Sequence, residues 1–142
     1  MSYWLMKSEP DVYPWTRLVK EKRAPWDGVR NYQANNNMKA MRIGDEAFFY
    51  HSNEGREVVG IMKIAKLWRP DPSDESGKFG MVEVVPVEAL PRPVTLAEIK
   101  ANPLLRDMAL VRQGRLSVSP VAKAEWRAIL KMSRMVSLSP PK

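Results

Sequence analysis

Glu46-Ala47-Phe48-Phe49-Tyr50-His51-Ser52-Asn53-Glu54-Gly55-Arg56-Glu57-Val58-Val59-Gly60-Ile61-Met62-Lys63-Ile64 is the stretch on which the reading of the fold turns. An apolar block from Ala47 to Tyr50 is followed by the turn residues Asn53, Glu54 and Gly55, and then by a β-branched run from Val58 to Ile64. Two such runs flanking a turn predict a β-hairpin. On its C-terminal side a polar loop, Asp71-Pro72-Ser73-Asp74-Glu75-Ser76-Gly77, is expected to be mobile, and Met81 to Val87 reads as a further strand closed at or just after Pro86. On its N-terminal side Tyr3-Trp4-Leu5-Met6 suits a buried first strand ended by Lys7-Ser8-Glu9-Pro10. Arg115 to Ser119 alternates like a short strand.

Helices fill the gaps. Pro14 followed by Trp15, Leu18 and Val19 predicts one over about 14–22. Ala34, Met38 and Met41, with Gly44 placed as a stop, predict another over 31–42. Thr95 and Glu98 form a capping box for a helix from Leu96 that ends before Pro103. Ser119-Pro120 caps a last helix whose buried stripe is Ala122, Trp126, Ile129 and Leu130, with Lys123, Arg127 and Lys131 as a basic stripe. The order of elements shows no regular βαβ alternation and no glycine-rich phosphate loop. It predicts an α+β chain, a small closed or partly closed mixed sheet with helices at its mouth.

The chain has 142 residues, enough for one domain over 1–142 with a real core. Its lack of cysteine and its single histidine, His51, argue against disulfides, thiolate chemistry and a structural metal. No cofactor is expected. Neither a membrane span nor a signal peptide is visible, which points to an intracellular protein with no membrane partner. A net charge of +7 makes a polyanion a natural partner. Residues 106–142 hold 8 basic and 2 acidic side chains, so the basic surface is concentrated near the C-terminus.

Against that background Trp26-Asp27-Gly28-Val29-Arg30-Asn31-Tyr32 stands out, and the amides continue through Asn35-Asn36-Asn37. An aromatic face stacks on a base, Arg30 meets a phosphate or base edge, and an amide such as Asn31 reads hydrogen-bonding edges. In the plainer reading Trp26 and Tyr32 fill the core while Asp27-Gly28 turns. The Asn35 to Asn37 run reads as helix surface. Ser8, Glu9, His51 and Ser52 each follow an apolar strand, so neighbouring strands would bring them to one rim; for His51 a hydrogen bond to backbone is the competing role. Arg115 and Ser117 offer a phosphate contact and a hydroxyl.

Four blocks also carry a family resemblance: Tyr3 to Pro10, Trp26 to Ala34, Tyr50 to Asn53, and Arg115 to Val118. They resemble the signature blocks of the EVE domain family, of the PUA-like superfamily related to YTH readers of methylated RNA. The resemblance implies a pseudo-barrel whose pocket takes a modified base, for instance 5-methylcytosine, from DNA or RNA. The expected pocket comprises Ser8, Trp26, Val29, Asn31, Tyr50, His51, Ser52, Leu116 and Ser117. The expected backbone contacts are Lys7, Arg30, Arg115, Lys123, Arg127 and Lys131. One departure is Asn35, which stands where the family block commonly has arginine and puts a phosphate contact there in question. A monomer is expected, cytoplasmic as a bacterial-type standalone domain and nuclear if eukaryotic. The rival reading is an enzyme, a glycosylase or nuclease acting on modified DNA with Glu9 or Asp27 as acid or base.

Overall fold

The structure is a computed structural model and describes residues 1–135; the last seven positions of the expected 1–142 span lie outside the described residues. Six strands form one mixed, open sheet in the order β2-β5-β4-β3-β1-β6, with β1 at Tyr3–Ser8, β2 at Ala24–Trp26, β3 at Glu46–His51, β4 at Glu57–Pro70, β5 at Gly80–Thr95 and β6 at Val118–Val121. Only β1 and β3 run parallel; every other neighbouring pair is antiparallel. The helices are α1 (Trp15–Glu21), α2 (Tyr32–Ala40), α3 (Leu96–Ala101), α4 (Ala109–Arg112) and α5 (Lys123–Arg134), with a 3-10 turn at Pro103–Leu105.

Strand alternation sorts the apolar runs onto two cores. Trp4, Met6, Ala47 and Phe49 face one side with Trp15, Leu18, Ala34 and Met38 of α1 and α2. Leu5, Phe48 and Tyr50 face the other with Ile99, Leu110, Trp126 and Ile129 of α3, α4 and α5. Burial on both faces explains why β1 and β3 read as continuous apolar runs. On the second face Trp126 stacks on Phe48 at 3.8 Å and on Tyr3 at 4.5 Å between ring centroids. Gly60 of β4 lets the Trp15 indole lie against the strand, where a Cβ would sit 2.6 Å from the ring.

The structure corrects several expectations. The hairpin forms, but β4 and β5 run on to Pro70 and Thr95 as a long antiparallel ladder. Pro91 and Pro93 are accommodated because the register jumps between Val58↔Val94 and Gly60↔Ala89, leaving both prolines outside the regular pairing. The three-residue β2 carries too little pattern to be read from sequence. The last strand is Val118–Val121 rather than Arg115 to Ser119. Pro120 therefore sits in an edge strand instead of capping a helix, and the Ala122 N–H is capped by Glu125 Oε1 at 2.8 Å. Helix α2 ends at Ala40, before Gly44, whose φ of +92° serves the turn into β3 instead.

Two polar ties fix the ends of these elements. Asp45 accepts from Trp4 Nε1 (3.1 Å), Arg42 N–H (3.0 Å) and Ser2 N–H (3.2 Å). Burial pushes its pKa up, but those donors outweigh burial and hold the carboxyl below its ordinary value. The loop expected to be mobile is pinned by Asp71, which accepts from Gly28 N–H (2.8 Å), Ser73 Oγ (2.7 Å) and Ser73 N–H (2.8 Å).

Candidate nucleic-acid interface

The parallel pair brings two strand ends to one level. Lys7 pairs with Tyr50 and Ser8 with His51, and the Ser52 N–H donates to the Ser8 carbonyl at 2.9 Å. Ligands in open sheets gather outside the carboxyl ends of parallel strands, and this rim is such a place. His51 Nε2 accepts the Trp15 N–H at 3.1 Å, and burial lowers its pKa, in keeping with a neutral imidazole acting as acceptor. His51 thus holds the start of α1, the backbone role that competed with a ligand contact.

Beside this rim lies a cleft of about 400 Å³ lined by Lys7, Ser8, Val12, Tyr13, Arg17 and Glu21 on one side and Ala24 to Asp27 on the other. That size suits a small planar ligand. Trp26 stands in its wall, mostly buried, packed edge-on against Phe49 at 5.5 Å and 86°. Val29 is buried in the same core. Ser8 Oγ donates to the Tyr13 carbonyl at 2.6 Å. At the lip, Tyr13 O–H donates to Glu21 at 2.7 Å and Arg17 Nε binds the same carboxylate at 3.1 Å. Burial first, and then the bond to Glu21, push the Tyr13 hydroxyl pKa well above its ordinary value. Tyr13, Arg17 and Glu21 are not among the residues that sequence singled out, although the i,i+4 spacing of Arg17 and Glu21 marks a paired helix face.

A second depression of about 270 Å³ adjoins the first through Lys7 and is lined by Tyr50, Ser52, Arg56 and Lys100 among others. A third, also about 270 Å³, holds Asn31, Arg115 and Leu116 and shares Gly114 with the second. Lys7, Ser8, Trp26, Asn31, Tyr50, Ser52, Arg115 and Leu116 of the expected site are thus spread over three adjoining hollows, while Val29, Arg30, His51 and Ser117 line none of them. Ser117 contributes its carbonyl, which accepts the Lys7 N–H at 2.9 Å.

Several expected contacts are committed to the fold. Asn31 Oδ1 caps α2 by accepting the Ala34 N–H at 2.9 Å. Arg30 meets Asp71 at 3.3 Å and Ser73 Oγ at 2.9 Å. Burial raises the Asp71 pKa, but Ser73, Gly28 and Arg30 together bring it down to about 2. Asn35 is buried, not surface: its Oδ1 accepts from Trp68 Nε1 (2.8 Å) and Gly80 N–H (2.9 Å), and its Nδ2 donates to the Lys78 carbonyl (3.2 Å). Asn37 donates to the Val118 carbonyl at 2.7 Å. Of the two aromatics read as core, Trp26 is buried and Tyr32 is 61% exposed. Glu9 is exposed and accepts from Asn53 Nδ2 at 3.3 Å.

Lys123, Arg127 and Lys131 are exposed on α5, but α5 packs on the Phe48 face. It starts after Val121, which pairs with Tyr3, five residues and about 17 Å along β1 from Ser8. The stripe is not brought to the cleft. Among the described residues no cluster of three or more His, Asp or Glu could hold a metal, and no helix is long and apolar enough to cross a membrane.

Comparison with known proteins fits this architecture. Human thymocyte nuclear protein 1 is 36% identical over 92% of this chain and 73% of its own length. A solution structure of a protein from Rhodopseudomonas palustris superposes with a TM-score of 0.89 at 50% identity, covering 94% of this chain and 93% of that one. The crystal structure of human THYN1 protein in complex with 5-methylcytosine containing DNA matches with a TM-score of 0.85 at 35% identity, covering 96% and 99%. An ASCH protein from Zymomonas mobilis, at 9% identity and a TM-score of 0.59, shares the fold alone. Residues 2–132 match the EVE domain, and the chain belongs to the EVE domain family.

Proposed function

We propose that the protein is a nucleic-acid-binding reader that admits one extruded, modified base into the cleft walled by Trp26 and Ser8, without chemical turnover. The observation that carries this reading is the cleft itself, where a rigidly packed indole and the cationic Lys7 share one hollow at the sheet rim. The complex of the related human protein with 5-methylcytosine-containing DNA supports DNA as the polymer and a methylated pyrimidine as the base. Extruding a base costs a few kcal/mol, and stacking on an aromatic ring returns about 1–3 kcal/mol. The two roughly balance, so hydrogen bonds inside the cleft decide which base is held. Trp26 is fixed by Phe49 before any ligand arrives, so little ordering cost falls on binding.

The test is a titration of short duplexes carrying 5-methylcytosine or cytosine at one position. Trp26→Ala would open a core cavity costing about 3–5 kcal/mol, so Trp26→Leu, checked for folding by circular dichroism, is the better probe. The methylated duplex should bind more tightly to the native chain, and the variant should lose about 5-fold to 150-fold of that affinity. A folded variant that keeps the full preference would refute the stacking role. Release of a base or cutting of the strand, abolished by Glu9→Gln, would replace the reader with an enzyme.

A further inference from the structure

The two hollows that meet at Lys7 differ in charge. The Trp26 cleft carries Lys7 and Arg17 but also Glu21 and Asp27, so its cations are matched by carboxylates. The adjoining cleft carries Lys7, Arg56 and Lys100 and has no acidic residue in its lining. Among the described residues none of these three cations forms a salt bridge, whereas Arg17, Arg30 and Arg92 each do.

Lys7 is the hinge between the two. It leaves β1 next to Ser8, its Nζ donates to the Gly114 carbonyl at 2.6 Å, and it lies 5.9 Å from the Tyr50 ring centroid. Burial lowers its pKa, because the ammonium is partly withdrawn from water with a carbonyl but no carboxylate to compensate. An ammonium so placed retains two of its three donors for a ligand. Arg56 is held by its Nε bond to the Asn53 carbonyl at 3.3 Å, and Lys100, on α3, lines the same cleft.

We propose that the Lys7, Arg56 and Lys100 cleft is a phosphodiester subsite that holds the backbone of the strand whose base occupies the Trp26 cleft. This rests on the reader function proposed above and adds to it the group that positions the strand. A base and its own phosphates are joined through one sugar, so they need adjoining compartments of different charge character. The matched cleft suits a neutral base and the uncompensated one an anion, with Lys7 common to both.

The test uses the full chain and three duplexes: one with cytosine, one with 5-methylcytosine, and one with 5-methylcytosine whose flanking linkages are neutral methylphosphonates. Each is titrated at several salt concentrations against the native protein, Lys100→Ala and Lys7→Met. Lys100 is exposed on a helix, so its truncation keeps the test valid should the Lys7 variant not fold. The Lys100→Ala variant should weaken binding to the cytosine and 5-methylcytosine duplexes by the same factor. It should also lower the log–log salt slope by about 0.9 for each phosphate no longer neutralised. On the methylphosphonate duplex the same variant should cost nothing further. Lys100→Ala and Lys7→Met that both keep the native salt slope, while the native chain prefers the methylated duplex, would overturn the subsite and leave the reader standing. A native chain that binds none of the duplexes would overturn both.

Discussion

Helices α2 and α5 look alike as candidates for recognition, one rich in amides and the other striped with cations, yet their polar groups are spent differently. On α2, Asn31 caps the helix, Asn35 binds Trp68, Gly80 and Lys78, and Asn37 binds Val118. On α5, Lys123, Arg127 and Lys131 are exposed and make no salt bridge among the described residues. Polar residues that serve the fold have their hydrogen bonds met within the chain, while those left for solvent or a partner do not. Residue type alone does not separate the two.

The sharpest break in that comparison is Asn35→Leu. It keeps the branching at Cγ but leaves the Trp68 indole N–H and the Gly80 N–H without acceptors, and should lower unfolding stability by about 3 kcal/mol in urea titrations. A loss below about 1 kcal/mol would mean that water replaces the amide.

Asp71, which ties the polar loop to the turn before α2, should come next. Its pKa falls from an ordinary 3.8 to about 2 in the folded protein, so its stabilisation is fully present above about pH 4 and is lost as pH drops toward 2. Over that window stability should fall by about 2 kcal/mol from this group, and Asp71→Asn should remove that part of the slope. An Asp71→Asn protein with the native pH profile would assign the slope to other carboxylates.

The smallest effect belongs to α5. Replacing Lys123, Arg127 and Lys131 together by alanine should change stability by no more than about 0.5 kcal/mol and leave the affinity for a methylated duplex and its salt slope near the native values. A large loss of affinity with a shallower salt slope would place the α5 face on the nucleic acid.

Much of this was legible in the sequence. Apolar runs marked β1, β3 and the start of β4, and the capping box at Thr95 and Glu98 is present as expected. That Ser8 and His51 end apolar strands was legible, but their meeting required β1 and β3 to be neighbours, which the sequence left open. What sequence did not disclose depends on partners far along the chain. Asn35 binds a residue 45 positions away and Asp71 one 43 positions away, and neither bond leaves a periodic trace. The three-residue β2 has no pattern to detect, and the long β5 was hidden by prolines that signal an end when read locally. Arg56 and Lys100 acquire meaning only once Lys7 stands between them.

The placement of β1 between β3 and β6 bears on how the chain is made. Tyr3 pairs with Glu46 on one side and Val121 on the other, so β1 is flanked by residues synthesised much later than itself. Its first partner is already in hand when the middle of the chain has been translated. Its other edge stays open until nearly every described residue is out. Completion of the sheet thus waits for β6, and until then Tyr3 to Met6 presents an open apolar edge.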